Sequence, residues 1–350
     1  MGKRILRILG MALAAVLFAV VGLIVFLSVT EYKPADRQMA DRIVMDADAT
    51  AVGQSVTVCS WNIGYAGLGK ESDFFMDGGT MVDPPSQEIV EKNMTGIRSF
   101  VQETAADAWL LQEVDVNSAR TGSMDQFSQI HDTLSGNAAF AYNYKCPFVP
   151  IPMPPMGKVE SGLATFTGAQ MEEDAERIAL PCPFSWPVRA ANLKRCLLVT
   201  RLPVEGTDRE LVLVNLHLEA YESGEGRIAQ TRMLMDLMQE EYEKGNYVIA
   251  GGDFNQSFPG ALDTYPIQDP ESWMPGVLSD SDLPEGWRFA CDGTATCRLL
   301  DRPYTEACQL YVIDGFILSP NVELEAVQTV SMEFSYSDHN PVLLHVSLLP

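Results

Sequence analysis

The chain has 350 residues, 47% hydrophobic and 20% charged, a globular rather than a disordered composition. Its 24 basic residues against 47 acidic ones give a net charge of −23. That argues against broad binding of a nucleic-acid backbone, which needs clustered Lys and Arg to displace counterions. It does not exclude a small phosphate-containing substrate reached through a metal.

The first thirty residues form a separate object. Lys3, Arg4 and Arg7 precede an apolar run from Ile8 to Val29, and no further charge comes before Glu31. These 22 residues, at about 1.5 Å each, span roughly 33 Å and reach across a bilayer core. The run exceeds the apolar stretch of an ordinary signal peptide, and no clear small-x-small cleavage site follows it. It reads as an uncleaved signal anchor, with the basic end in the cytoplasm and the rest outside. A cleaved signal peptide is the alternative. Without the three anchor bases, 21 basic residues face 47 acidic ones, so the outer part carries −26.

Residues 31–54 are polar, charged and contain Pro34, and read as a linker. The domain then runs over 55–350. Val56–Trp61 is a short, β-branched buried strand that ends at Asn62. A glycine-rich loop, Gly64–Gly79, carries Phe74, Phe75 and Met76 and is expected to rim a pocket. Apolar residues at helical spacing predict a helix over Gln87–Thr104, and Ala108–Val114 is a second strand. Cys146–Met156 is apolar but too rich in proline for a helix. It is expected either to touch an acyl chain, a membrane or a partner, or to fold back over a core edge. Strands follow at Gly162–Thr167, Arg195–Leu202 and Leu211–Leu218, then a helix over Gly226–Tyr242 and a strand over Tyr247–Ala250. Residues 256–308 read as irregular. The last strands are expected at Leu310–Ser319, Glu323–Met332 and Val342–Leu348. This order suggests two packed sheets flanked by helices.

Seven cysteines leave at least one unpaired. Cys59 lies in a strand and reads as free. Cys146 with Cys182, or Cys291 with Cys297, is a candidate disulfide, and seven reduced thiols is the alternative.

The polar residues at strand ends carry the chemistry. Asn62 and Glu113 end the first two strands, and His217 follows Leu211–Leu216. Asp253 and Asn255 follow Tyr247–Gly252, Asp314 sits in Val-Ile-Asp-Gly-Phe, and Asp338-His339 lies in Ser-Asp-His-Asn-Pro. Catalytic groups collect on loops at one rim of a rigid sheet. Carboxylate and amide oxygens suit Mg²⁺ or Mn²⁺, and two imidazoles suit an acid and a base. His345 reads as structural and His131 as a surface residue.

Six segments in series resemble the endonuclease/exonuclease/phosphatase superfamily, the DNase-I-like fold. They are Ser-Trp-Asn-Ile-Gly (60–64), Leu-Gln-Glu-Val-Asp (111–115), Val-Asn-Leu-His-Leu (214–218), Gly-Gly-Asp-Phe-Asn (251–255), Val-Ile-Asp-Gly-Phe (312–316) and Ser-Asp-His-Asn-Pro (337–341). The resemblance implies a four-layered α/β sandwich, with two packed mixed sheets flanked by helices, and phosphoester hydrolysis with one or two Mg²⁺ or Mn²⁺ ions. It casts Glu113 as the principal metal ligand, with Asn62 and Asp338 near it. Asp253 and Asn255 position water and phosphate, His217 and His339 form the acid/base pair, and Asp314 holds His339. Glu160, by its place before a strand, is expected to hold His217. Arg189 and Asn192, in the densest basic stretch, are candidate phosphate contacts.

These readings point to a membrane-anchored, extracytoplasmic phosphodiesterase acting on a small or lipid-headgroup diester. A DNase-type endonuclease is the alternative within enzymes, and a non-catalytic binding module on the same fold is the alternative outside them.

Overall fold

The computed structural model describes residues 2–221 and 224–350. Helix α1 (Gly2–Val29) is followed by two short strands, β1 (Arg37–Met39) and β2 (Arg42–Val44). Then come β3 (Ser55–Asn62), α2 (Gln87–Glu103), β4 (Ala108–Asp115), α3 (Gln126–Leu134), β5 (Asn137–Val149) and β6 (Gly157–Thr167). The chain continues through β7 (Glu176–Ala179), β8 (Cys196–Pro203), β9 (Glu210–His217), α4 (Glu225–Glu243) and β10 (Tyr247–Asp253). It closes with β11 (Arg288–Ala290), β12 (Asp314–Leu318), β13 (Val322–Thr329) and β14 (Val342–Leu348). One mixed seven-stranded sheet has the order β1-β7-β8-β9-β10-β12-β11, and the other has the order β13-β14-β3-β4-β6-β5-β2.

The sheets pack face to face because their strands alternate. Val56, Val58, Leu110 and Leu163 from one sheet meet Leu198, Leu213, Ile249 and Phe316 from the other in a single buried cluster. Each such side chain contributes about 1.5–3 kcal/mol on burial. The outward faces are apolar too, so both need a cover. Met94, Ile97 and Val101 of α2 and Phe127 and Ile130 of α3 lie on Trp61, Trp109 and Phe166. Leu234 and Met238 of α4 lie on Val212, Val214 and Val248. The result is the expected four-layered sandwich. The Ser86 side chain caps α2 by accepting from the Ile89 N–H.

Several elements differ from the sequence reading. Residues 31–54 are no free linker, because β1 pairs with β7 and β2 with β5, one at an edge of each sheet. β5 has no counterpart in that reading, although Phe140, Tyr142 and Tyr144 alternate at strand spacing; it pairs along its length with β6. The strand expected at 310–319 breaks at Val312–Ile313. Leu310–Tyr311 pairs with Cys297–Arg298, and only Asp314–Leu318 joins the large sheet. All seven cysteines are free thiols. Cys291 packs toward the α4 side while Cys297 belongs to a separate cluster with Tyr311, so that candidate pair is not formed. His345 is exposed with its Nδ1 on Thr57 Oγ1, and His131 is half-buried against the Gly136 carbonyl.

A polar tie crosses the sandwich at one end. Gln112 Nε2 on β4 donates to Asn215 Oδ1 on β9 at 2.8 Å. Asn215 Nδ2 donates back to the Leu111 and Ala164 carbonyls at 3.1 and 2.9 Å. Asn215→Ala leaves these buried groups short of partners, at about 1–3 kcal/mol each. Gln112 Nε2 keeps the Leu110 carbonyl, so two carbonyls lose a donor, and urea unfolding of Asn215→Ala should show a loss of about 2–6 kcal/mol. Stability within about 0.5 kcal/mol of the parent chain would show that the tie holds nothing.

Candidate active site

Strand register brings the polar strand ends together. β9 and β10 run parallel, with Asp253 opposite His217. β10 and β12 run antiparallel, with Asp253 opposite Asp314. Asp253 is therefore flanked by a histidine on one side and a carboxylate on the other. In the second sheet β3 and β4 are parallel, with Asn62 opposite Gln112. β14 is antiparallel to β3, with Val342 opposite Ser60, so the loop 337–341 arrives beside Asn62. Trp61 Nε1–H donates to the His339 carbonyl at 2.9 Å, and the Ser337 hydroxyl donates to the Asn62 carbonyl at 2.8 Å, which pins that loop.

Glu113 reaches the site through a bulge. Leu111 pairs with Ala164 and Val114 with Gly162, so β4 holds one extra residue there. Glu113 takes φ +56° and Asn255 φ +51°, conformations that cost non-glycine residues about 1–3 kcal/mol and cluster at functional sites. Gly252 before Asp253 is required by space as well as by φ: a Cβ there would lie 2.0 Å from the Leu216 carbonyl oxygen.

The groups converge on the floor of a cavity of about 730 Å³. Asp253 Oδ2 accepts from Asn62 Nδ2 at 3.1 Å and faces His217 Nε2 at 3.4 Å and His339 Nε2 at 3.7 Å. Its Oδ1 accepts the Asn255 N–H at 2.9 Å. Asn255 Nδ2 donates to the Leu218 carbonyl, which leaves its amide oxygen for a ligand. His339 Nδ1 meets Asp314 Oδ2 at 2.8 Å, and its Nε2 lies 3.8 Å from Asp338 Oδ2. Glu113 Oε1 lies 3.9 Å from His217 Nδ1.

Burial and charge set the protonation tendencies. Burial, reinforced by the Asp314 charge, pushes Asp253 up to about 7. Burial and then the Asp338 charge push Glu113 up, and burial pushes Asp338 up. Burial would lower His339, but Asp314 and the other acids outweigh it and hold this histidine well above its ordinary range. Burial, then the charges of Arg195 and His339, hold His217 well below its own.

Asn62, Glu113, His217, Asp253, Asn255, Asp338 and His339 all line the cavity, and Asp314 stands behind His339. Glu160 does not hold His217: its carboxylate pairs with Lys158 at 3.3 Å, and the groups nearest the His217 ring are Glu113 and Asp253. The reason is register, which sets Glu160 beside Lys145 on the β5 side of β6. Asn192 lines the cavity, but Arg189 does not, because its guanidinium turns to Glu31 at 3.3 Å.

Two buried ion pairs under the site escape the sequence reading. Arg195 Nε bonds Glu219 at 3.2 Å while its NH1 holds the His217 carbonyl at 3.1 Å. Glu219 also accepts from the Ala220 and Tyr221 N–H groups. Arg120 pairs with Asp115 at 2.8 Å and lies over the Tyr65 ring. The signal for Glu219 is its place two residues after His217, at the end of an apolar strand.

The sequence profile of the Endonuclease/Exonuclease/phosphatase family matches residues 59–339. The chain belongs to the endonuclease/exonuclease/phosphatase family. No curated protein matches it by sequence. Among solved structures it is similar to an endonuclease/exonuclease/phosphatase from Beutenbergia cavernae, at 17% identity and TM-score 0.55, over 85% of this chain and 72% of that one. It is also similar to the Bacteroides vulgatus family protein, at 18% identity and TM-score 0.55, over 84% and 99%. TDP2 from Caenorhabditis elegans follows at 18% identity and TM-score 0.51, over 86% and 76%. These likenesses concern the fold.

Members of this family are divalent-metal-dependent phosphoesterases. The residues present fit such an ion. Asp253, Asp314 and His339 offer ligand atoms within 4.8 Å of one another, as do Cys297, Asp338 and His339. Asp314 Oδ1 is buried with no hydrogen-bond partner, and Glu113 and Asp338 carry closely placed negative charge that a cation would offset. Asn62 Oδ1 already accepts the Gly64 N–H at 3.0 Å, which holds it beside them. These oxygen donors suit a hard cation. Calorimetric titration with Mn²⁺ should show binding that Glu113→Gln and Asp338→Asn each weaken tenfold or more, whereas Glu160→Gln should leave it unchanged. Equal affinity for all four chains would remove Glu113 and Asp338 from the metal site.

Proposed function

We propose that the chain is a membrane-anchored phosphodiesterase that uses Mg²⁺ or Mn²⁺, with its catalytic domain outside the cytoplasm and a small or lipid-headgroup diester as substrate. The observation that carries this reading is the meeting of Asp253, His217 and His339 within 3.4–3.7 Å at the base of a cavity whose upper walls are apolar. The bases Lys3, Arg4 and Arg7 in the first turns of α1 support the orientation, because positive flanks stay on the cytoplasmic side.

Glu113 and Asp338, with Asn62 beside them, would hold a divalent cation, which would supply charge to polarise the phosphoryl oxygen and offset the developing negative charge. The protein's own groups do the rest. Asp253 is oriented by the Asn255 N–H and the Asn62 amide, so its Oδ2 is set to align a water and accept its proton. The water oxygen bonds to phosphorus as one ester P–O bond breaks in line with it. The departing oxygen takes a proton from the His339 imidazolium, while His217, held neutral, is placed to hydrogen-bond the phosphoryl group. Asp314 fixes the His339 ring so that Nε2 faces the cavity. Arg195, tied to Glu219, holds the backbone that carries His217.

A long nucleic acid fits this opening poorly. Arg120 and Arg195 are engaged by buried acids, Arg298 by backbone carbonyls, and Arg189 and Lys194 by Glu31.

With Mg²⁺ or Mn²⁺ the protein should hydrolyse a soluble bis-aryl phosphodiester, and a chelator should stop it. His339→Ala and Asp253→Asn should each lower kcat by about 10²–10⁴. Hydrolysis of monoesters alone would overturn the substrate class, and full activity in both variants would overturn the mechanism.

A further inference from the structure

The anchor is part of the catalytic cavity. From Lys3 to Gly22 helix α1 is exposed on every side, and it packs against the domain only over its last two turns. Lys3, Arg4 and Arg7 belong to the inner boundary, and the apolar run Ile8–Val29, at about 1.5 Å per residue, measures about 33 Å, the thickness of a bilayer's hydrocarbon core. The packed turns are therefore the outer end of the span, next to the membrane boundary. There Leu23, Ile24 and Leu27 line the cavity beside Val149, Ile151 and Met156, and Leu27 is buried in one cluster with Val149 and Met156.

The surroundings match an interfacial position. Trp186 Nε1–H donates to Ser28 Oγ at 2.9 Å, and Glu31, just past the helix, gathers Lys33, Arg189 and Lys194 within 3.3–3.4 Å. Tryptophan and basic side chains are favoured at the headgroup level. On the same side Ile151 is 71% exposed, Met153 82%, Trp186 57% and Val188 58%. Such apolar side chains beside the end of a membrane-length helix find their natural neighbour in lipid.

We propose that the cavity draws a phospholipid sideways from the leaflet in which α1 ends. Its phosphodiester reaches Asp253 and His339, and an acyl chain lies between the last turns of α1 and the proline-rich loop 146–156. The substrate class rests on the phosphodiesterase reading above; the membrane face does not.

The test uses the full chain in nanodiscs of phosphatidylcholine, phosphatidylethanolamine and phosphatidylglycerol with Mn²⁺. Lipid hydrolysis is measured against hydrolysis of soluble bis(p-nitrophenyl) phosphate. The inference expects cleavage of the disc's own lipid, and a lipid-to-soluble rate ratio that drops at least tenfold in Ile151→Ser/Met153→Ser. Soluble cleavage without lipid cleavage, or an unmoved ratio, overturns the lipid substrate and leaves the phosphodiesterase reading standing. Cleavage of neither substrate overturns that reading. The membrane face has its own measurement. Acyl-brominated lipids should quench tryptophan fluorescence, and Trp186→Phe should abolish most of that quench; no quench, or one unchanged by Trp186→Phe, overturns the placement of this face on the bilayer.

Discussion

The amide tie between Gln112 and Asn215 is the constraint on which the site depends. Each sheet by itself presents only half of the chemistry. One carries Asn62 and Glu113, and the other carries His217, Asp253 and Asp314. Apolar packing holds the sheets together but is non-directional and tolerates sliding. Buried amides do not, because each shift leaves a donor or acceptor unpaired in a low-dielectric interior. The tie lies one residue before Glu113 and two before His217. It sets the two halves of the site against each other at the point where the chemistry needs them.

The electrostatics follow from that closure. Four carboxylates and two histidines occupy a buried floor, and burial disfavours the charged form of each. The outcome then depends on neighbours. Asp314 touches His339 and keeps it charged, while Arg195, turned to Glu219, leaves His217 with a cation nearby and favours its neutral form. Two identical side chains thus acquire opposite tendencies from their partners. The surplus of acid over base on the same floor makes the site receptive to a divalent cation.

Much of this is legible in the sequence. A β-branched run ended by a polar residue is a local signal, so Asn62, Glu113, His217 and Asp253 stand out from the order of residues alone. What faces a residue across a sheet has no local signal. Glu160 has the right position in the chain but the wrong strand neighbour, so it meets Lys158 instead of His217. Arg189 sits in a basic stretch, yet Glu31, 158 positions away, takes it. β5 does carry a local signal, the alternation of Phe140, Tyr142 and Tyr144, but its partner β6 is set only by the fold. The edge strands in 37–44 are three residues each, too short to carry a pattern of their own.

The sequence by itself determined the chemical repertoire and the local elements: oxygen donors and imidazoles at strand ends, a membrane-length helix, and a family resemblance spanning the domain. Spacing of two or 3.6 residues encodes which face of an element is apolar, and that is readable from neighbours along the chain. The tertiary structure alone decided which acids converge, which bases remain engaged elsewhere, and that the last turns of α1 form a wall of the cavity. The decisive ones, such as Asn62 with Asp253 and Glu31 with Arg189, join residues more than a hundred positions apart and arise only when two sheets and one helix are packed at a particular register.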